Sequence, residues 1–384
     1  MSQEKITAKL DLPTSWRHGK GLANEVGSFV EMLECKHPLV LTDKILLSSG
    51  VLKPILSSLE AKGMAYTICD GVNKEPTLEL LEDLLQSLDL NSFDIIVAVG
   101  GGSVLDVSKA LAIIASFGGN IKDYAGHEKV PGVPTTKVIA VPTTSGTGSE
   151  ISDGIVLIDE EQNTKFLVLS KKICPTMAVT DPLMTLSMPA RVTACSGMDA
   201  LVHATESYIS KNSNVVTELF SLKAVELLSK NIRTACVKGD DIKIRENMQM
   251  GATIAMMAGM NAYLGLCHAM AMPLCALYKM PHGQACGMLL PHVLEYNAAV
   301  AEQKISKVLD TMGIGESHQN LSQRLEEINF LLTEIGLFAK LRDFDYRPEH
   351  MQIIVNATLG SAQCPTNPRE PLKQDIAEII NKMI

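Results

Sequence analysis

Aromatic side chains are scarce. They make up 4% of the 384 residues, and Trp16 is the only tryptophan. A large aromatic cage around a substrate is therefore not expected. Cys-x-x-Cys pairs are absent, and the nine cysteines are scattered and odd in number. A disulfide framework and a cysteine-based zinc site are both disfavoured, and a reducing cytoplasm fits. Basic charge is also short: 34 Lys+Arg stand against 43 Asp+Glu, a net charge of −9, with no Lys/Arg cluster. That balance argues against nucleic-acid binding, which needs basic surface to neutralise phosphates, and against a polybasic membrane patch. The stretch from Met1 to Leu12 lacks an apolar core, so it does not read as a secretory signal. No internal repeat or low-complexity tract is evident.

What is present is an ordinary globular composition, 46% hydrophobic and 20% charged. At roughly 150 residues per domain, the length fits two domains or three. Asn247 to Tyr278 contains no Asp, Glu, Lys or Arg and is long enough to span a bilayer. It also contains Gln249, Asn261, His268 and Pro273 among many Ala, Gly and Met. The run is read as helices buried in a protein core, not as a membrane span.

The first half alternates strand-like and helix-like segments. Short apolar runs fall at His37–Leu41, Ala65–Cys69, Ile95–Val99, Val138–Val141, Ile155–Ile158 and Ala178–Thr180. Amphipathic stretches such as Ser49–Lys62, Thr77–Leu88 and Ser103–Ser116 separate several of them. This alternation predicts a mostly parallel sheet with helices on both faces. Asp153–Ser170 differs, with two runs flanking a polar turn, and predicts a β-hairpin. After Asp181-Pro182 the patterns become helical: Ala190–Ser210, Val215–Asn231, Ile242–Ala262, Gly265–Tyr278, Gly283–Val300, Asn320–Ile335 and Lys373–Met383. Pro189, Pro273, Pro281 and Pro365 are expected to punctuate these helices. The expectation is an α/β dinucleotide-binding domain over residues 1–185 and an all-helical domain over 186–384.

Two loops point to a nucleotide. The buried strand ending at Val99 runs into Gly100-Gly101-Gly102-Ser103, and a helix follows. Glycines allow close backbone approach, and a helix start offers free N–H groups to a pyrophosphate. Ser103 reads as the N-cap, with Asp106 completing a capping box. Pro142 to Glu150, carrying Thr143, Thr144, Ser145, Thr147 and Ser149, is a second loop after a strand, rich in hydroxyls and glycines. It suits phosphate, ribose or an adenine edge. Asp43 ends another strand, where a carboxylate would accept ribose hydroxyls and repel a 2′-phosphate, or else cap the next helix. On charge grounds NAD is expected over NADP, with Lys44 pulling the other way.

Asp199 and His203 are four residues apart, on one face of a helix. His268 lies inside the charge-free run, and His282 sits between Pro281 and Gly283. Each alone reads as an ordinary hydrogen-bonded residue or cap. Together they place three imidazoles and one carboxylate in apolar helices, where unpaired polar groups are costly. One divalent cation would satisfy all four. With no thiolate in this set, Fe²⁺ or Zn²⁺ suits it better than Mg²⁺ or Ca²⁺.

These landmarks resemble the iron-dependent (group III) alcohol dehydrogenase family over nearly the whole chain. The match runs through Gly100-Gly101-Gly102-Ser103-x-x-Asp106-x-x-Lys109, Pro142-Thr143-Thr144-x-Gly146-Thr147-Gly148-Ser149-Glu150, Asp181-Pro182 and Asp199-x-x-x-His203-x-x-Glu206. It continues through His268-Ala269-Met270-Ala271, Pro281-His282-Gly283 and Thr366-Asn367-Pro368-Arg369. The resemblance implies a dinucleotide-binding domain, a helical domain and an active site in the cleft between them. It implies that Gly101, Gly102 and Ser103 hold the pyrophosphate, Asp43 the adenosine ribose, and Lys165 the nicotinamide-side ribose. Thr143 and Thr144 would lie near the adenine, and Asp199, His203, His268 and His282 would ligate the metal. Family members are usually dimers or larger. One departure stands out: the family commonly has a further His where this chain has Met272. A thioether relays no proton.

The expected reaction is metal-assisted hydride transfer between NAD(H) and a short aldehyde or primary alcohol. An aldehyde with a polar or anionic tail, such as sulfoacetaldehyde or succinic semialdehyde, is the alternative. Ser149, Glu150, Ser152 and Cys364 are candidate pocket-lining residues. Two rivals differ in class. A lyase of the 3-dehydroquinate synthase type would need basic residues near the metal helices, which the charge-free run lacks. A non-catalytic nucleotide-binding protein would treat Met272 as a mark of lost chemistry.

Overall fold

The computed structural model describes residues 8–72, 76–161, 164–315 and 320–384, without the side chains of Thr164 and Lys165. It forms two compact units. One holds residues 12–144 and 148–187, and the other holds residues 8–11, 145–147 and 188–384. The division falls at Ser187/Met188, two residues past the expected boundary, and two short pieces of the first half group with the helical unit. The causes are local. The Asp11 amide donates to Asn261 Oδ1 at 2.7 Å. A Cβ on Gly146 would come 2.5 Å from Ser196 Cβ, so that turn lies flush on the helix carrying Ser196.

In the α/β unit the strands are β1 (Ser15–His18), β2 (Pro38–Leu41), β3 (Thr67–Cys69), β4 (Ile95–Gly100), β5 (Gly126–His127), β6 (Lys137–Pro142), β7 (Gly154–Asp159), β8 (Thr164–Leu169) and β9 (Met177–Thr180). The helices are α1 (Val26–Met32), α2 (Lys44–Ser49), α3 (Lys53–Ala61), α4 (Leu78–Ser87) and α5 (Gly102–Phe117). Six strands form a parallel sheet in the order β1-β9-β6-β4-β2-β3. Side chains alternate across its faces. Leu39, Leu41, Ile96, Ala98, Val138 and Ala140 enter one core with α4 and α5. Val40, Ile95, Val97, Val99, Ile139 and Val141 enter the other with α1 and α3. Both faces are therefore covered, which is why the central strands β2 and β4, and β6 from Val138 onward, are apolar without interruption. β7 and β8 pair antiparallel as the expected hairpin.

The chain reverses its direction of progress across the sheet between β2 and β4, since β3 lies outside β2 and β6 lies beyond β4. Loops at the carboxyl ends of strands beside such a reversal form ligand crevices. Gly100 pairs with Pro142, so the glycine loop and the hydroxyl-rich loop leave neighbouring strands at the same level.

The second unit is helical: α6 (Ala190–Ile209), α7 (Val215–Val237), α8 (Ile242–Ala262), α9 (Leu266–Tyr278), α10 (His282–Thr311), α11 (Leu321–Glu334), α12 (Met351–Leu359) and α13 (Lys373–Met383). Among the described residues no single helix is long and apolar enough to cross a membrane. The charge-free run is split between α8 and α9, which meet at 106°.

Several sequence expectations need correction. Pro273 does not end a helix but lies inside α9. The helix expected to end at Val300 does break there, at the non-helical Ala301 (φ −135°, ψ 24°), and an unexpected second helical stretch runs on to Thr311. α12 and β1 were not anticipated. β1 is a four-residue edge strand of mostly polar sequence, held by β9 far along the chain.

Candidate metal centre and cofactor loops

The glycine loop is built by packing. A Cβ on Gly100 would come 2.5 Å from Val104 Cγ2, so only glycine lets α5 leave β4 this tightly. The N-cap of α5 is Gly101, not Ser103, and no side chain caps the helix start. The expected capping box is therefore absent. Asp106 is turned inward: Ser149 Oγ donates to its Oδ1 and the Val156 amide to its Oδ2, both at 2.9 Å. Lys109, 1% exposed, sits 3.6 Å from Asp106 Oδ1 and donates to Ser152 Oγ and the Gly154 carbonyl. Asp106, Lys109, Ser149 and Ser152 thus form a buried polar tie between α5 and the β7 region. Uncapped N–H groups at Gly101, Gly102 and Ser103 suit an anion, and this start of α5 fits a dinucleotide pyrophosphate.

Asp43 caps α2, accepting from the Leu46 amide at 2.8 Å. Thr143, whose amide donates to the Gly100 carbonyl at 2.9 Å, and half-buried Thr144 belong to the α/β unit. Ser145, buried, and Thr147, exposed, group with the helical unit. The backbone of Lys165 lies in β8 opposite Ile158, and its side chain is outside the described residues. Cys364, read as pocket-lining, donates its thiol to the Thr358 carbonyl at 3.0 Å.

The four candidate metal ligands come together within the helical unit. Asp199 and His203 project from one face of α6, His268 from the first turn of α9, and His282 from the first residue of α10. Asp199 Oδ1 lies 3.5 Å from His268 Nε2, 3.7 Å from His282 Nε2 and 3.9 Å from His203 Nε2. With metal–donor bonds of about 2.1 Å, neighbouring donors of a tetrahedral shell sit about 3.4 Å apart. The spacing is therefore that of a ligand shell. Asp199 Oδ1 and His268 Nε2 are buried and make no hydrogen bond, an arrangement that is costly without a shared partner. These residues fit a divalent metal.

At Asp199 and His203 the electrostatics agree with the geometry. Burial opposes ionisation of Asp199, but the imidazoles of His203, His282 and His268 outweigh it and hold the carboxyl below the usual range. Burial pushes His203 down to about 4, against the pull of Asp199, so its ring is neutral and able to ligate. The His203 and His268 rings stack with centroids 4.6 Å apart. His282 is the open edge, with a third of its side chain exposed.

The local sequence explains this convergence. Gly283 has no room for a methyl group, which would overlap the Cys195 carbonyl of α6. The Pro281-His282-Gly283 bend thus brings the start of α10 onto α6. Glu206, one turn past His203, accepts the amides of Gly265 and Cys267 and faces His268 Nδ1 at 2.6 Å. Asn367 accepts the Leu266 amide and exchanges hydrogen bonds with Asn297. Glu206 and Asn367 together hold the N-terminus of α9, and with it His268. One residue escaped the sequence reading. Cys286, fully buried, has its Sγ 3.7 Å from His282 Nε2 and clusters with Asp199, His268 and His282, all donor atoms within 4.8 Å. The available signal was its position four residues after His282 on one helix.

One chain thus carries a parallel sheet with a glycine loop and a helical His/Asp cluster, the parts that an enzyme using a dinucleotide and a metal needs. The family description Iron-containing alcohol dehydrogenase matches residues 13–182, and Fe-containing alcohol dehydrogenase family, C-terminal, matches residues 193–384. A 1,3-propanediol dehydrogenase of Citrobacter freundii is 36% identical over 372 residues, covering 95% of each chain. A lactaldehyde reductase of Escherichia coli (strain K12) is 33% identical over 375 residues, covering 95% of this chain and 96% of the relative. A crystal structure of a 1,3-propanediol oxidoreductase superposes with a TM-score of 0.92 at 35% identity, covering 98% of this chain and all of that one. The chain belongs to the iron-containing alcohol dehydrogenase family and is an NAD-dependent, metal-containing alcohol dehydrogenase or aldehyde reductase.

Proposed function

We propose that the chain interconverts a short aldehyde and its primary alcohol, using NAD(H) in preference to NADP(H) and one divalent cation. Fe²⁺ is the first choice and Zn²⁺ the alternative. The observation carrying this reading is the convergence of Asp199, His203, His268 and His282 at ligand-shell spacing around unsatisfied buried donors. The names of the two curated relatives point to three-carbon substrates bearing a second oxygen, and this is the substrate class proposed here.

The metal, when bound, supplies a Lewis acid for the substrate oxygen, and the nicotinamide gives or takes the hydride. The chain's own residues prepare both. Asp199 contributes an anionic ligand. Glu206 accepts the Nδ1 proton of His268, which leaves the Nε2 lone pair facing the other ligands. Gly101, Gly102 and Ser103 present free amides to the pyrophosphate, and Asp43 disfavours a 2′-phosphate. Met272, on α9 four residues past His268, has no exchangeable proton, so it takes no part in moving the proton of the product oxygen. The absence of a disulfide among the described residues supports a cytoplasmic setting, and the family resemblance supports a homodimer or larger homo-oligomer.

The test is NADH oxidation with a panel of two- to four-carbon aldehydes, repeated with NADPH and after chelation. Turnover of a hydroxylated three-carbon aldehyde, faster with NADH and abolished by chelation, is expected. No turnover with any aldehyde, despite bound metal and cofactor, overturns the reading.

A further inference from the structure

A second set of metal-competent atoms overlaps the carboxylate and its three imidazoles. It is Asp199, His268, His282 and Cys286, whose donor atoms all lie within 4.8 Å of one another. Two observations on other residues point into the same space: Asp199 Oδ1 and His268 Nε2 are buried without hydrogen bonds. Cys286 is fully buried on α10, one turn beyond His282. Its Sγ lies 3.7 Å from His282 Nε2. Metal–sulfur and metal–nitrogen bonds of about 2.3 and 2.1 Å at a tetrahedral angle put S and N about 3.6 Å apart. The thiol thus stands where a ligand would stand.

We propose that Cys286 Sγ is itself a metal ligand, making this a mixed Asp/His/Cys centre. The inference rests on the metal-centre reading above and adds a donor to it. On binding, the S–H bond breaks, an S–metal bond forms, and the proton leaves to the buffer, with no change of oxidation state. A thiolate favours softer ions, so Zn²⁺ and Co²⁺ gain on harder cations. Cys275 does not share this role. Its Sγ lies 3.6 Å from Nδ1 of His282, while the cluster's imidazole contacts run through Nε2.

The experiment loads metal-stripped protein with Co²⁺ and records its absorption spectrum. An intense near-ultraviolet sulfur-to-Co²⁺ charge-transfer band beside the visible d–d bands is expected. It should vanish in Cys286→Ser with the d–d bands retained, and persist in Cys275→Ser. Zn²⁺ affinity of Cys286→Ser should fall by at least the roughly 10-fold that loss of a supporting group costs. In the unsubstituted protein, Zn²⁺ should shield Cys286 from alkylation as read by peptide mass spectrometry, which decides the matter even if the variant fails to fold. Stoichiometric Co²⁺ with d–d bands but no charge-transfer band, or alkylation of Cys286 at an unchanged rate, overturns the thiolate while leaving the metal centre standing. Failure to bind Co²⁺ or Zn²⁺ at all overturns both.

Discussion

Glu206 Oε2 lies 2.6 Å from His268 Nδ1, and the same carboxylate accepts the amides that open the helix carrying that histidine. One buried side chain therefore sets the tautomer of a candidate ligand and anchors the backbone beneath it. Such outer groups typically contribute 10- to 100-fold to metal affinity. Glu206→Gln removes the charge and keeps one acceptor oxygen, enough for the Cys267 amide or for the Gly265 amide but not both. It should bind metal about 10- to 100-fold more weakly with its helical content unchanged, as read by competition against a chelator. Unaltered affinity would show that Glu206 serves the fold alone.

Gly283 lets α10 begin in contact with α6, with room for neither a methyl nor a shift, since a Cβ would overlap the Cys195 carbonyl and lie 3.2 Å from Asp199 Cβ. Gly283→Ala should lower stability by about 1–3 kcal/mol, the usual range for overpacking. It should also spread the ligands on the two helices and weaken metal binding. Urea unfolding of the metal-free protein separates the first effect from the second. An unchanged midpoint would mean the helix start moves freely.

Burial raises the Asp106 carboxyl above its usual value, and Lys109 pulls it back down. Lys109→Met removes that pull, so the folded-state value rises further. A raised folded-state value contributes stability below the unfolded value, near 3.8, that is lost as pH rises through the folded value. The stability deficit of Lys109→Met should therefore be smallest near pH 4 and grow toward pH 8, reaching about 3–5 kcal/mol. Denaturant titrations at the two pH values check the slope, and a deficit independent of pH would contradict the pairing.

The sheet was readable from the chain because both of its faces are buried, so β4, and β6 from Val138 onward, are apolar without interruption. β1 was not, because Ser15–His18 carries no apolar alternation and takes its conformation from β9. The imidazoles and Asp199 stood out because polar residues in greasy helices need partners. Cys286 did not, since a buried cysteine in an apolar helix looks like any small core residue. The capping of α5 was misread because Ser103 is a good cap by type, whereas the steric limit at Gly100 moves the helix start to Gly101. The roles of Glu206 and Asn367 depend on contacts spanning 59 to 101 residues, beyond the reach of local pattern.

The measurement closest to the central claim is divalent metal per chain, by elemental analysis, for the unsubstituted protein and for Asp199→Ala, His203→Ala, His268→Ala and His282→Ala. The account predicts one ion per chain in the first and marked loss in each variant after the same dialysis. Full occupancy in His268→Ala, with or without lost activity, would contradict it.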